Sequence, residues 1–174
     1  MIANLEEHIN SNYKNLYYFA LSLTKNEADA CDLTQHAFLK LAKNVNKIRD
    51  DKKVKSWLFS TLYRDFIDGK RRSRFQADQP FEEAAGNMHS ESPPSDNRLD
   101  SQAVLKILIK LDDDLRIPLT LFYLEDYSYK EIAKLLKIPM GTVMSRLHRG
   151  KELLYQTLIQ LDNPNRPISG VSQI

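Results

Sequence analysis

Cysteine is almost missing from this chain: Cys31 is the only one among 174 residues. An internal disulfide framework is therefore excluded, and a reducing, cytoplasmic setting is expected. The four histidines (His8, His36, His89 and His148) are scattered, and nothing near them has metal-ligand spacing. No apolar run approaches the ~20 residues of a membrane-spanning helix. The chain does not open on a basic segment followed by an apolar core, so no secretion signal is expected. No nucleophile–base set and no phosphate-cradling loop emerges, so neither an enzyme nor a cofactor is expected. An excess of positive charge is also lacking: the net charge is only +2.

The distribution of charge says more than its sum. Lys70, Arg71, Arg72 and Arg74 form one basic block, and residues 146 to 151 form another. Between them, residues 78 to 96 carry Asp78, Glu82, Glu83, Glu91 and Asp96 and no lysine or arginine. Residues 76 to 98 also hold three prolines and no apolar periodicity, which predicts a flexible acidic linker and a domain boundary. Its acidity fits either plain solubility or mimicry of nucleic-acid phosphates within a basic channel.

Helical periodicity dominates the rest. Residues 4 to 23 repeat Leu5, Ile9, Tyr13, Leu16, Tyr17 and Ala20 at a three-or-four step. Thr24 with Glu27 reads as a capping box that opens a second helix through Ala30, Leu33, Ala37, Leu41 and Val45. Asp29, Asp32, Gln35 and Phe38 fall on its outer side. Phe38 can be core, or it can be the aromatic of a docking surface. Residues 46 to 55 are polar and rich in lysine, including Lys52 and Lys53, and read first as a solvated loop. Ser56 then caps a third helix with Trp57, Leu58, Leu62, Phe66 and Ile67 on its apolar side, and Tyr63 and Arg64 toward the other. This helix runs into the first basic block. Cations suit a helix C-terminus, by ~0.3–1 kcal/mol, but four within five residues exceed what the dipole needs. Aromatics beside cations suit single-stranded nucleic acid, where stacking contributes ~1–3 kcal/mol per base.

Past the linker, residues 99 to 111 predict a helix with Leu99, Ala103, Leu105 (or Val104), Ile107, Leu108 and Leu111 inward. Asp112, Asp113 and Asp114 favour the start of the next helix through Leu115, Leu119, Phe122 and Tyr123. Pro118 is expected near its first turn, where its cost is lower. Ser128 with Glu131 forms a capping box, and Ile132, Leu135 and Leu136 give one apolar face. Ala133 is small enough for a second helix to pack close. Ile138-Pro139 ends this short helix. A second begins near Met140, Gly141 and Thr142, with Val143, Leu147 and Leu154 inward and Met144, Ser145, His148, Arg149 and Lys151 outward. Box, small residue, tight turn and basic second helix together favour a DNA-binding helix-turn-helix over an ordinary helical hairpin. Arg149 can offer two donors to a guanine edge, and Ser145 can bond a base or a phosphate. Arg146 and Lys151 suit phosphates. Residues after 162 read as a disordered tail.

These motifs, in this order, resemble a bacterial RNA polymerase sigma factor of the extracytoplasmic-function (ECF) group of the sigma-70 family. Asp29-Ala30-Cys31-Asp32-Leu33-Thr34-Gln35 followed by Phe38 is similar to the family's polymerase-binding motif. Trp57-Leu58-Phe59 through Asp68 and the basic run resembles the helix that reads and melts the minus-ten element. Pro139 through Val143, with Ser145-Arg146-Leu147-His148-Arg149, resembles the helix that reads the minus-thirty-five element. The resemblance implies an all-α protein of two small helical domains joined by the acidic linker. Residues 1–75 would bind core polymerase and melt the promoter, residues 76–98 would be the linker, residues 99–162 would read the minus-thirty-five element, and residues 163–174 would be the tail. It implies that Asp29, Asp32, Gln35 and Phe38 dock on the polymerase clamp helices. Lys52, Lys53, Trp57, Tyr63, Arg64, Lys70, Arg71 and Arg72 would hold the opened strand and a flipped minus-ten base. Thr142, Met144, Ser145, His148 and Arg149 would face the upstream duplex, with Arg146 and Lys151 on its backbone. The implied partners are core RNA polymerase and promoter DNA, with an anti-sigma factor or another DNA-bound recruiting partner left open. Arg64 stands where many relatives have Asn, Met144 where Lys or Arg is common, and Cys31 and His36 where acids are frequent. The rival reading is a stand-alone helix-turn-helix regulator, which would have no use for the residues of the front half.

Overall fold

The computed structural model describes residues 5–48, 50–76 and 101–162, and all of its regular structure there is helical. The predicted linker beyond Gln76, the predicted tail and Leu99 lie outside the described residues. The chain divides into two units, each described by itself below.

The first unit is three helices, α1 (Leu5–Thr24), α2 (Glu27–Asn44) and α3 (Val54–Gln76), with two short 3-10 turns between α2 and α3. The predicted stripe on α1 is only its beginning. Leu16 and every residue from Tyr18 to Leu23 are buried, so the second half of α1 is enclosed on all sides by α2 and α3. Tyr13 of the expected stripe is instead 43% exposed. Ala30, Thr34, Ala37 and Leu41 form the buried spine of α2. Leu58 and Leu62 of α3 have no exposed surface, and Phe59, which the periodicity left off the apolar side, stacks on Phe19 at 5.1 Å. Ile67, expected inward, lies on the surface.

Both expected caps in this unit move. Thr24 ends α1, and Lys25 follows with φ 58°. Asn26 is the residue that caps α2, its Oδ1 accepting from the Asp29 amide at 3.0 Å. Asparagine two residues nearer the helix outcompetes threonine, because its carbonyl reaches the third amide of the first turn. Ser56 lies within α3 and donates back to the Lys53 carbonyl. Asp50 opens the preceding turn by accepting from the Lys52 amide at 3.1 Å. The lysine-rich stretch is thus largely turned rather than loose, and His8 Nε2, 3.7 Å from Asp51, tethers it to α1.

The second unit holds α4 (Ser101–Leu108), α5 (Asp113–Tyr123), α6 (Tyr129–Leu136) and α7 (Met140–Asp162). Asp112 occupies the cap position of α5, but its side chain makes no capping bond. Asp113 instead accepts from Arg116 at 2.5 Å, and the fully buried Arg116 also donates to the Leu111 carbonyl at 2.6 Å. Pro118 is in the middle of α5, past the first turn, and removes the amide that would bond the Asp114 carbonyl. Burial of every residue from Leu115 to Leu121 offsets that loss.

Candidate nucleic-acid interface

The helix-turn-helix forms as its sequence demands. The Ser128 amide donates to Glu131 Oε2 at 2.8 Å and the Glu131 amide to Ser128 Oγ at 3.4 Å, so both halves of the capping box are made. Buried Tyr127 precedes the box, and burial with the Glu125 and Glu131 carboxylates holds its phenol far above the ordinary range, hence neutral. Lys137 closes α6 in the left-handed conformation, φ 56°, and the Pro139 carbonyl accepts from the Thr142 and Val143 amides to start α7.

On α7, Val143, Leu147 and Gly150 are buried at helical spacing. Gly150 was not singled out by its sequence context. A Cβ there would stand 2.6 Å from Leu119 Cδ1, so α7 and α5 approach closely enough that Leu119 would have to shift for any larger residue. Leu154, expected inward, is half-buried. The opposite face carries Met144, Ser145, His148 and Arg149, all exposed, with Gly141 open beside them. Positions 144, 145, 148 and 149 share one side of a helix, which suits insertion into a groove. Ser145 Oγ bonds the Thr142 carbonyl at 3.0 Å, and Glu152, unremarked in the sequence, reaches within 3.8 Å of His148 on the same face. Thr142 is partly covered and Lys151 is exposed. Arg146 lies off this face: its guanidinium pairs with Asp114 of α5 at 2.9 Å.

In the first unit, α3 presents Trp57, Arg64 and Arg71 seven residues apart on one side, with Tyr63 and Lys70 likewise spaced beside them. Arg64, Lys70, Arg71 and Arg72 are exposed, while Trp57 and Tyr63 are half-buried. Lys70 lies over the Phe66 ring at 4.8 Å. Lys52 and Lys53 are exposed on the turn before α3, with Lys53 3.7 Å from Asp50. Cations and partly exposed aromatics thus line one helix, the arrangement that grips a flexible strand.

On the outer ridge of α2 the four residues of the motif are not equally exposed. Asp29, Asp32 and Gln35 are exposed together, but Phe38 is 8% exposed and stacks on Tyr13 at 6.1 Å. Three residues beyond Gln35, Phe38 has rotated toward α1 and off the ridge. The apolar residue that does stand on it is Leu39, 57% exposed, four residues beyond Gln35 and seven beyond Asp32. Its spacing was available in the sequence; only its exposure was not.

Two helical units, each carrying a cationic helix on its surface, define a nucleic-acid-binding protein. Residues 8–76 match the family described as Sigma-70 region 2, and residues 101–154 the family described as Sigma-70, region 4. The ECF RNA polymerase sigma factor SigM of Bacillus subtilis (strain 168) is 30% identical over 141 residues, 80% of this chain and 85% of that protein. The ECF RNA polymerase sigma factor SigW of the same organism is 28% identical over 157 residues, 84% of each. Among solved structures, the sigma factor RpoE in complex with the anti-sigma factor NepR, from Bartonella quintana, matches with a TM-score of 0.69 and 27% identity, over 91% of this chain and 98% of that one. The chain belongs to the sigma-70 family, in its ECF group, and is a transcription initiation factor. No helix among the described residues is long and apolar enough to cross a membrane.

Proposed function

We propose the following division of work for this sigma factor. Residues 1–75 bind core RNA polymerase and the melted minus-ten strand, residues 76–98 connect, and residues 99–162 read the minus-thirty-five duplex. Asp29, Asp32 and Gln35, joined by Leu39, form the docking ridge, and Phe38 sets that ridge by packing on Tyr13. Lys52, Lys53, Trp57, Tyr63, Arg64, Lys70, Arg71 and Arg72 hold the unwound strand. Met144, Ser145, His148 and Arg149 face bases, while Lys151 and Thr142 lie toward the backbone. Arg146 reaches a phosphate by exchanging Asp114 for it. The factor performs no bond chemistry of its own. It lowers the free energy of the opened promoter by binding that form better than the closed one, against an unstacking cost of a few kcal/mol per flipped base. It works in the cytoplasm, where the polymerase is. An anti-sigma factor is a fitting regulator, since the RpoE relative is held by one.

The observation that carries this reading is the pair of exposed cationic helices, α3 and α7, on separate units. A regulator that binds duplex DNA needs only the second. The test is run-off transcription: the full chain with core polymerase should initiate at discrete start sites on genomic fragments. A factor that shifts duplex DNA yet never supports initiation with core polymerase contradicts the proposal.

A further inference from the structure

The burial of α3 ends abruptly. Val54, Leu58, Phe59, Thr61 and Leu62 are buried, whereas no described side chain from Tyr63 to Ser73 is. The strand-facing half of the helix is therefore only partly covered, at Tyr63, Asp65, Phe66 and Asp68. One polar cluster ties this half back to α2. Lys40 Nζ donates to Asp65 Oδ1 at 2.6 Å, and His36 Nδ1 lies 3.2 Å from Asp65 Oδ2. The Asp65 side chain is only 13% exposed, and its Oδ2 is buried without a hydrogen bond. Lys40 and His36 stand four residues apart on α2, so they flank the carboxylate from the same helix face. His36 is also the immediate neighbour of Gln35 on the docking ridge. One acid thus joins the helix assigned to polymerase docking to the helix assigned to strand capture, next to Tyr63 and Arg64.

We infer that Asp65 is a positioning residue: held by Lys40, with the His36 imidazole beside it, it fixes the emergent half of α3 against the docking helix, so that the docked factor presents Tyr63, Arg64 and Arg71 to the unwound strand in one orientation. Asp65 touches neither partner; it acts through the direction of α3. A charge-assisted hydrogen bond to a mostly buried carboxylate is the kind of contact that holds a geometry, because the acid has few alternative partners. This inference rests on the proposed division of work.

The test uses the full chain with core polymerase and a promoter carrying a fluorescent base analogue in the minus-ten element. In Asp65→Asn, affinity for core polymerase should stay within about twofold, the size of an ordinary surface substitution. The opened-promoter signal should fall about tenfold, the size of losing one charge-assisted hydrogen bond. Lys40→Met should do the same, whereas Lys40→Arg, which keeps the charge and reach, should open the promoter as the parent does. Lys40 is partly exposed, so its variants keep the experiment decisive if Asp65→Asn does not fold. Parallel loss of docking and opening, loss of docking alone, or no loss of opening would each overturn the inference. Failure of the unaltered chain to dock or to open any promoter would instead sink the division of work on which it rests.

Discussion

Gly150 carries more of the second unit than its missing side chain suggests. The space a methyl would need is occupied by the end of the Leu119 side chain, which is fully buried and would have to shift within the core. Gly150→Ala should destabilise the protein by about 1–3 kcal/mol, the usual cost of overpacking, seen as a lower denaturant midpoint; an unchanged midpoint would show that α5 and α7 can part freely. Lys137 shows the opposite case, a side chain where none is wanted. Its φ of 56° closes α6 in the left-handed region. Lys137→Gly should stabilise by about 0.5–1 kcal/mol, the relief of left-handed strain less the added freedom of the unfolded chain. Phe38 and Leu39 divide along similar lines. Phe38→Ala should lower the stability of the first unit by about 3 kcal/mol or more, a core truncation, while Leu39→Ala should leave folding intact and weaken polymerase binding in a gel-filtration titration. The sequence left Phe38 open between these roles because a two-helix pattern cannot say which neighbour covers a boundary position. In the structure Phe38 packs on Tyr13 of α1.

At the level of elements, the amphipathic repeats of α2, α6 and α7 were legible, since each presents one face to a core and period alone identifies that face, whereas on α3 only Leu58 and Leu62 of the expected face are buried and Phe59 was missed. What was not legible is where an element is enclosed. The last two turns of α1 and the middle of α5 are buried all round, so no polar face marks them, and Pro118 could be placed only by guessing its distance from the helix start. Helix starts were readable where one candidate cap stands alone, as at Ser128, and misread where two compete, as at Thr24 and Asn26. The exposed face of α7 followed directly from the spacing of Val143 and Leu147. The diversion of Arg146 to Asp114 did not, because it depends on where α5 begins. Arg149→Ala should cost ~1–3 kcal/mol at one promoter position and relax preference there, read by competition among single-base promoter variants. A uniform loss across all variants would mean that Arg149 touches phosphate only.

For the molecule as a whole, net charge hid the function that charge distribution revealed. The sum of +2 is compatible with almost any soluble protein, whereas cations gathered on α3 and α7 create two separate attractive surfaces. Binding to a promoter should therefore weaken steeply with salt. Neutralising Lys70, Arg71 and Arg72 should make the log–log salt dependence on a single-stranded minus-ten oligonucleotide shallower, by about 0.7 for each phosphate that no longer meets a cation. The same substitution should leave the preference among upstream duplex sequences unchanged, because the proposed division of work gives those to the other unit. The account is tested most directly by chemical mapping of unpaired thymines on a cognate promoter with core polymerase alone, with the chain alone and with both. It predicts reactive thymines across the minus-ten element only when both are present, abolished by Asp32→Ala/Gln35→Ala. Duplex binding by the chain alone, with no reactive thymine under any combination, would contradict it.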